Sequence, residues 1–129
     1  MPQMIRLLLF VTAGSGLGGA ARYLIQYYTQ SKLSYNFPWG TWVINIIGSF
    51  IIGLFFALSE ESKIISQEAR VFLMAGLCGG FTTFSAFTIE NYKLIQSGQA
   101  TTALFYIVSS VVLGILAVYT GIALVKQFA

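Results

Sequence analysis

Histidine is absent, cysteine occurs once, at Cys78, and charged residues make up only 9% of the 129 positions. Each scarcity removes a class of function. A single thiol cannot close a disulfide within the chain, and no acidic cluster or Cys/His set has the spacing of a metal centre. No nucleophile, base and orienting group stand together, so an enzyme is not expected. The net charge of +3 is scattered and forms no basic stripe. That excludes nucleic acid as an expected partner and leaves at most a mild attraction to anionic headgroups.

What the chain has in abundance is apolar sequence: 57% of residues are hydrophobic. Soluble domains carry roughly a quarter of their residues charged, so water is not the main solvent of this one. The apolar residues gather into four blocks, about 5–28, 39–58, 70–95 and 101–125. Each is long enough to cross a hydrocarbon core that takes roughly 20 helical residues. The expectation is an all-α integral membrane protein, a single domain over 1–129 with four transmembrane helices, embedded in a lipid bilayer. Tyr23, Tyr27 and Tyr28 close the first block as an interfacial aromatic belt would. That block runs past the roughly 7–15 apolar residues of a signal peptide, so it is read as a mature helix. Pro38 suits the start of the second.

The connecting stretches, 29–37, 59–69 and 96–99, leave no room for an extramembrane domain, so function is expected inside the membrane. Basic residues divide almost evenly between the two sides: Arg6, Lys63, Arg70 and Lys126 against Arg22, Lys32 and Lys93. With little excess to choose an orientation, both are expected, and an antiparallel dual-topology homodimer is the simplest closed assembly. A fixed orientation imposed by partners is the competing reading.

Polar groups inside spans are expensive and therefore informative. Thr41, Asn45 and Ser49 recur every four residues on one face of the second helix, near Gly48 and Gly53, which offer close approach. Asn45 either packs or lines a path, where its amide can donate to an anion. Arg22 lies sixteen residues after Arg6, so about 24 Å along a straight helix at ~1.5 Å per residue. There it either snorkels to headgroups or sets a positive charge at a pore mouth.

In the third block, Gly79-Gly80-Phe81-Thr82-Thr83-Phe84-Ser85-Ala86-Phe87 crowds glycines, hydroxyls and phenylalanines into nine residues. A helix broken near its middle is the expectation, with freed carbonyls that need partners. Buried water or a bound cation would serve, and near a two-fold axis two carbonyls from each subunit would offer four oxygens. Phe84 and Phe87, three apart, share a face, and positive ring edges can meet an anion, although ordinary aromatic packing has the same spacing. Glu90 follows as a vestibule group or an interfacial carboxylate. Tyr106, Ser110 and Gly114, with Ser109 beside them, form a possible polar track on the fourth helix.

Three stretches carry a wider resemblance: Gly18-Gly19-Ala20-Ala21-Arg22-Tyr23, Gly40-Thr41-Trp42-Val43-Ile44-Asn45 with Gly48 and Gly53, and Gly76 through Phe87. Over nearly its whole length the chain resembles the Fluc (CrcB) family of fluoride channels. The resemblance implies an antiparallel dual-topology homodimer in the inner (plasma) membrane, with two pores and passive export of fluoride. It implies a structural sodium ion held by the backbone carbonyls of Gly79 and Thr82. It further implies a fluoride path lined by Asn45, Thr83, Phe84, Ser85, Phe87, Tyr106 and Ser110, with Arg22 and Glu90 at the vestibule. Ala86 and Gly114 depart from the pattern, each standing where relatives often carry a hydroxyl.

The residues fit the selectivity problem, because fluoride is small and tightly hydrated and its water must be replaced by many modest donors. A deep lysine would trap it. The rival from another class is a proton-coupled small multidrug exporter, which needs a central carboxylate; Glu90, late in its helix, is the one span-associated acid. A structural subunit of a larger complex would use the glycines but not Asn45 and the threonine–phenylalanine cluster.

Overall fold

A computed structural model describes residues 1–33, 36–61 and 65–129, and every described element is helical. Lys63, counted above among the basic residues of one side, lies outside the described residues. The elements are α1 (Gln3–Lys32), α2 (Trp39–Glu61), α3 (Gln67–Arg70), a wide-turned π segment (Val71–Cys78), α4 (Gly79–Phe81), α5 (Phe84–Gln96) and α6 (Ala100–Phe128). Four stretches are long and apolar enough to cross a membrane: α1, α2, the succession Gln67–Gln96, and α6. Each runs a few residues past its apolar block, because backbone hydrogen bonding continues into the polar ends where hydropathy has already fallen.

The helix ends follow local chemistry. Pro38 lies one position ahead of the first helical residue, and its carbonyl accepts the first intrahelical bond, from Trp42 N at 3.1 Å. Ser66 caps α3 by accepting from Ala69 N at 3.2 Å. Thr83 caps α5 in the same way through Ala86 N, also at 3.2 Å. At the other end of α5, Gly98 takes φ +79°; Gln99 N then reaches Leu94 O at 2.8 Å and Gly98 N reaches Ile95 O at 3.1 Å. That pair of bonds is a Schellman motif, which turns the chain within a few residues into α6.

Packing joins alternate spans in parallel pairs. Along α1, Gln3 bonds Gln67 at 2.8 Å and Arg6 pairs with Glu68 at 2.6 Å. Deeper in, Gly14 and Gly18 face Gly76, Leu77 and Phe81 so closely that a Cβ at either glycine would strike backbone of the third span. A four-residue glycine spacing on both partners is what lets two helix backbones touch. The α2–α6 pair uses Gly53 and Gly121 in the same manner, against Val118 and Phe50, and Trp42 Nε1 donates to Ser109 Oγ at 3.0 Å.

Little of the surface is hidden. Ile44, Ala57, Cys78, Ala103 and Tyr106 form the buried apolar core, while large side chains such as Leu8, Leu104 and Phe84 are exposed. The accessible area is 8257 Å² for 14.1 kDa. A soluble monomer of that mass would show about 6,700 Å². The excess is apolar surface, as lipid or a second helix layer requires.

Candidate functional site

Helical geometry stops at Phe81 and resumes at Phe84. Thr82 (φ −79°, ψ 156°) and Thr83 (φ −148°, ψ 115°) are extended between them. Two extended residues in mid-span strip neighbouring carbonyls of their helical donors, so each carbonyl must be accounted for. Cys78 O accepts from Thr82 N at 3.0 Å and from Thr82 Oγ1 at 2.9 Å. Gly80 O accepts from Arg22 Nε at 3.2 Å. Thr83 O accepts from Asn45 Nδ2 at 3.2 Å, and Thr83 N donates to Asn45 Oδ1 at 2.9 Å. Among the described residues, these bonds leave the carbonyls of Gly79, Phe81 and Thr82 without a donor from the linking residues.

Asn45 therefore behaves as a second strand would, pairing both backbone groups of one extended residue. One hydrogen of its amide stays uncommitted, and the side chain lines a cavity of about 360 Å³. Thr83, Phe84, Phe87, Ser110, Gly79 and Thr82 line the same cavity. The Phe84 and Phe87 rings lie 5.8 Å apart at 39°, and Phe87 meets Tyr106 at 4.9 Å and 63°. Phe84 is 77% exposed. Ser85 Oγ lies 3.4 Å from Thr83 Oγ1. Ser110 Oγ is buried and has no hydrogen-bond partner. A buried hydroxyl without a partner costs free energy unless something else meets it.

One turn back along α2, Thr41 lines a second cavity, of about 390 Å³, together with Glu90, Gln26 and Lys93. Both carboxylate oxygens of Glu90 are engaged: Thr41 Oγ1 donates to Oε1 and Tyr106 donates to Oε2, each at 2.7 Å. Glu90 is thus tied between α2 and α6. Thr41 and Tyr106 are fully buried, so these are bonds made away from water.

The expected site residues fall into groups. Asn45, Thr83, Phe84, Phe87 and Ser110 come together at one cavity, with Ser85 beside Thr83. Tyr106 is fully buried, bonding Glu90 and packing its ring on Phe87. Arg22, expected at a pore mouth, reaches the Gly80 carbonyl next to the extended threonines. Ser49 spends its hydroxyl on Asn45 O at 2.6 Å, and Gly114 faces Ser49. Two features went unread in the sequence. The Gly14/Gly18 and Gly76/Gly80 spacings were visible as paired small-residue motifs; Gln26, four residues after Arg22 on the same face, was signalled only by that spacing.

The fold and its polar seam define a multi-pass helical membrane protein whose intramembrane polar groups converge on the irregular stretch of the third span. Residues 9–122 match the family model described as CrcB-like protein, Camphor Resistance (CrcB), and the chain belongs to that family. It is 42% identical over 123 residues to the fluoride-specific ion channel FluC of Flavobacterium psychrophilum, covering 95% of this chain and 99% of that protein. It is 40% identical over 121 residues to a FluC of Leptospira interrogans (94% and 95%). A FluC of Nitrobacter winogradskyi is 43% identical over 119 residues (92% and 94%).

Proposed function

We propose that this chain is a fluoride-selective channel of the inner (plasma) membrane that lets fluoride leave the cell passively. It works as an antiparallel dual-topology homodimer with two pores and a structural sodium ion at the dimer centre. The observation that carries the reading is the cavity of about 360 Å³ lined by Asn45, which keeps an uncommitted amide hydrogen, together with Thr83, Ser110 and the ring pair Phe84 and Phe87. These are many weak donors and no fixed cation, a set that can replace a small anion's water without holding it. The names of the relatives support the choice of fluoride.

The two cavities occupy successive turns of one face of α2, Thr41 lining one and Asn45 the other. That arrangement supports a route past Glu90 and along the ring pair. Exposure of the Phe84 ring supports a second protomer, which would complete its surroundings. The broken third helix would supply the sodium ligands: the carbonyls of Gly79 and Thr82 are, with that of Phe81, among those that receive no donor around the extended pair, and hard oxygen donors suit the ion. When bound, sodium would neutralise those carbonyls and join the protomers. Arg22 serves the same region by holding Gly80 O.

The test is fluoride release from liposomes carrying the purified protein, followed with an ion-selective electrode, with chloride release measured beside it. Fluoride should leave rapidly and chloride negligibly. Retention of fluoride by well-folded protein would overturn the proposal and make Glu90, the acid a proton-coupled exporter would use, the next residue to change.

A further inference from the structure

Threonines in these helices generally turn their hydroxyls back onto their own backbone. Thr12 donates to Leu8 O, Thr29 to Ile25 O, Thr82 to Cys78 O and Thr120 to Leu116 O, each four residues earlier at 2.8–2.9 Å. Thr88 does so three residues earlier, to Ser85 O. Thr41 does not. Its proton crosses to Glu90 Oε1 at 2.7 Å, while its oxygen accepts from Gln26 Nε2 at 3.2 Å.

A hydroxyl has one proton and rotates freely until its neighbours choose a direction. An amide N–H aimed at its oxygen occupies a lone pair and leaves the proton to point elsewhere. We propose that Gln26 is a positioning residue for the anion route: it orients the Thr41 hydroxyl toward Glu90 and so keeps the carboxylate tied between α2 and α6. This inference rests on the channel reading above.

The geometry around Gln26 is specific to the role. It projects from α1, an element with no bond of its own to Glu90, and reaches the cavity that Thr41, Glu90 and Lys93 also line. Thr41 is 2% exposed and Tyr106 0%, so no bulk water competes for either hydroxyl. The chain Gln26 to Thr41 to Glu90, with Tyr106 closing it from α6, therefore runs one way. Each oxygen of the carboxylate receives one hydroxyl proton. Without Gln26, the Thr41 oxygen loses the donor that occupies one of its lone pairs, and its proton is free to rotate away from Glu90. Glu90 then keeps one tether, from Tyr106, and its charge is less well occupied where an anion has to pass.

The experiment compares Gln26→Leu, which keeps the bulk and removes the donor, with Thr41→Val and the double variant. Gln26→Leu should slow fluoride release about fivefold, the effect of one neutral hydrogen bond. In the Thr41→Val background the same change should slow it no further, because the group through which Gln26 acts is gone. Gln26→Glu keeps the shape without the donor and should match or exceed the leucine effect. The same cycle is then run on unfolding in SDS micelles, which needs no transport, and should again be non-additive. Full-rate release from Gln26→Leu, or additive effects in both cycles, would overturn the inference. Wild-type liposomes that retain fluoride would sink the channel reading, while the unfolding cycle still decides whether Gln26 acts through Thr41.

Discussion

Asn45 offers a perturbation whose two consequences can be separated. Its amide makes two bonds to the backbone of Thr83, at 3.2 and 2.9 Å, and Thr83 is 9% exposed. Asn45→Leu keeps a side chain of similar size and removes both bonds. In membranes a side-chain hydrogen bond contributes about 0.6 kcal/mol on average, which sets a floor near 1 kcal/mol for the pair. Leaving the Thr83 N–H and C=O both unpaired would cost about 1–3 kcal/mol each, a ceiling near 6. Asn45→Asp differs: its carboxylate still accepts from Thr83 N, but it carries a charge into the span and sets an oxygen against the Thr83 carbonyl, so it too destabilises. Toward an anion it acts more strongly, since two like charges roughly 5 Å apart at an effective dielectric near 20 repel by about 3 kcal/mol. That is over a hundredfold in occupancy. The two variants are therefore read in two assays. Unfolding in SDS, followed by the fluorescence of Trp39 and Trp42, should be shifted by both; fluoride release should be slowed most by aspartate. If leucine left both unchanged, Asn45 would be a packing residue and the backbone clamp would have no energetic content.

Phe84→Ile should abolish fluoride release while leaving the protein folded, since a ring that is 77% exposed contributes little to its own protomer; normal release would remove the ring from the route. Gly18→Ala places a methyl against the Leu77 carbonyl and should cost about 1–3 kcal/mol, read as a lower SDS midpoint. An unchanged midpoint would mean that α1 can shift without loss. Exchanging sodium for a bulky organic cation during purification should lower the thermal midpoint of the protein, and Arg22→Gln should lower it further by releasing Gly80 O. Insensitivity to sodium in both proteins would argue against a cation at Gly79 and Thr82.

Hydropathy made the four spans legible because each is an uninterrupted apolar block, and composition alone singled out the run from Gly79 to Phe87. The partners of those residues were not legible. Asn45 could be placed on a polar face of α2, yet that it clamps Thr83 depends on how far α2 sits from the third span, which side chains elsewhere decide. Arg22 was located by counting along one helix, and counting along one helix says nothing of the carbonyl a neighbour presents. Glu90 read as a lone acid because its donors, Thr41 and Tyr106, are 49 and 16 residues away. The close contact of α1 with the third span was readable from glycine spacing, but only by comparing two helices at once.

The pairing of alternate spans bears on how the chain assembles. Gly14 meets Gly76 and Trp42 meets Ser109, so each close partner is made more than sixty residues later. At roughly 5–20 residues per second, α1 waits about 3–12 s before the surface it fits exists. During that interval α2 carries the amide of Asn45 through lipid with no Thr83 to receive it. The newborn first half is therefore an unfinished object: the third span gives α1 its partner and receives Asn45, and the α2 pair closes only when α6 follows.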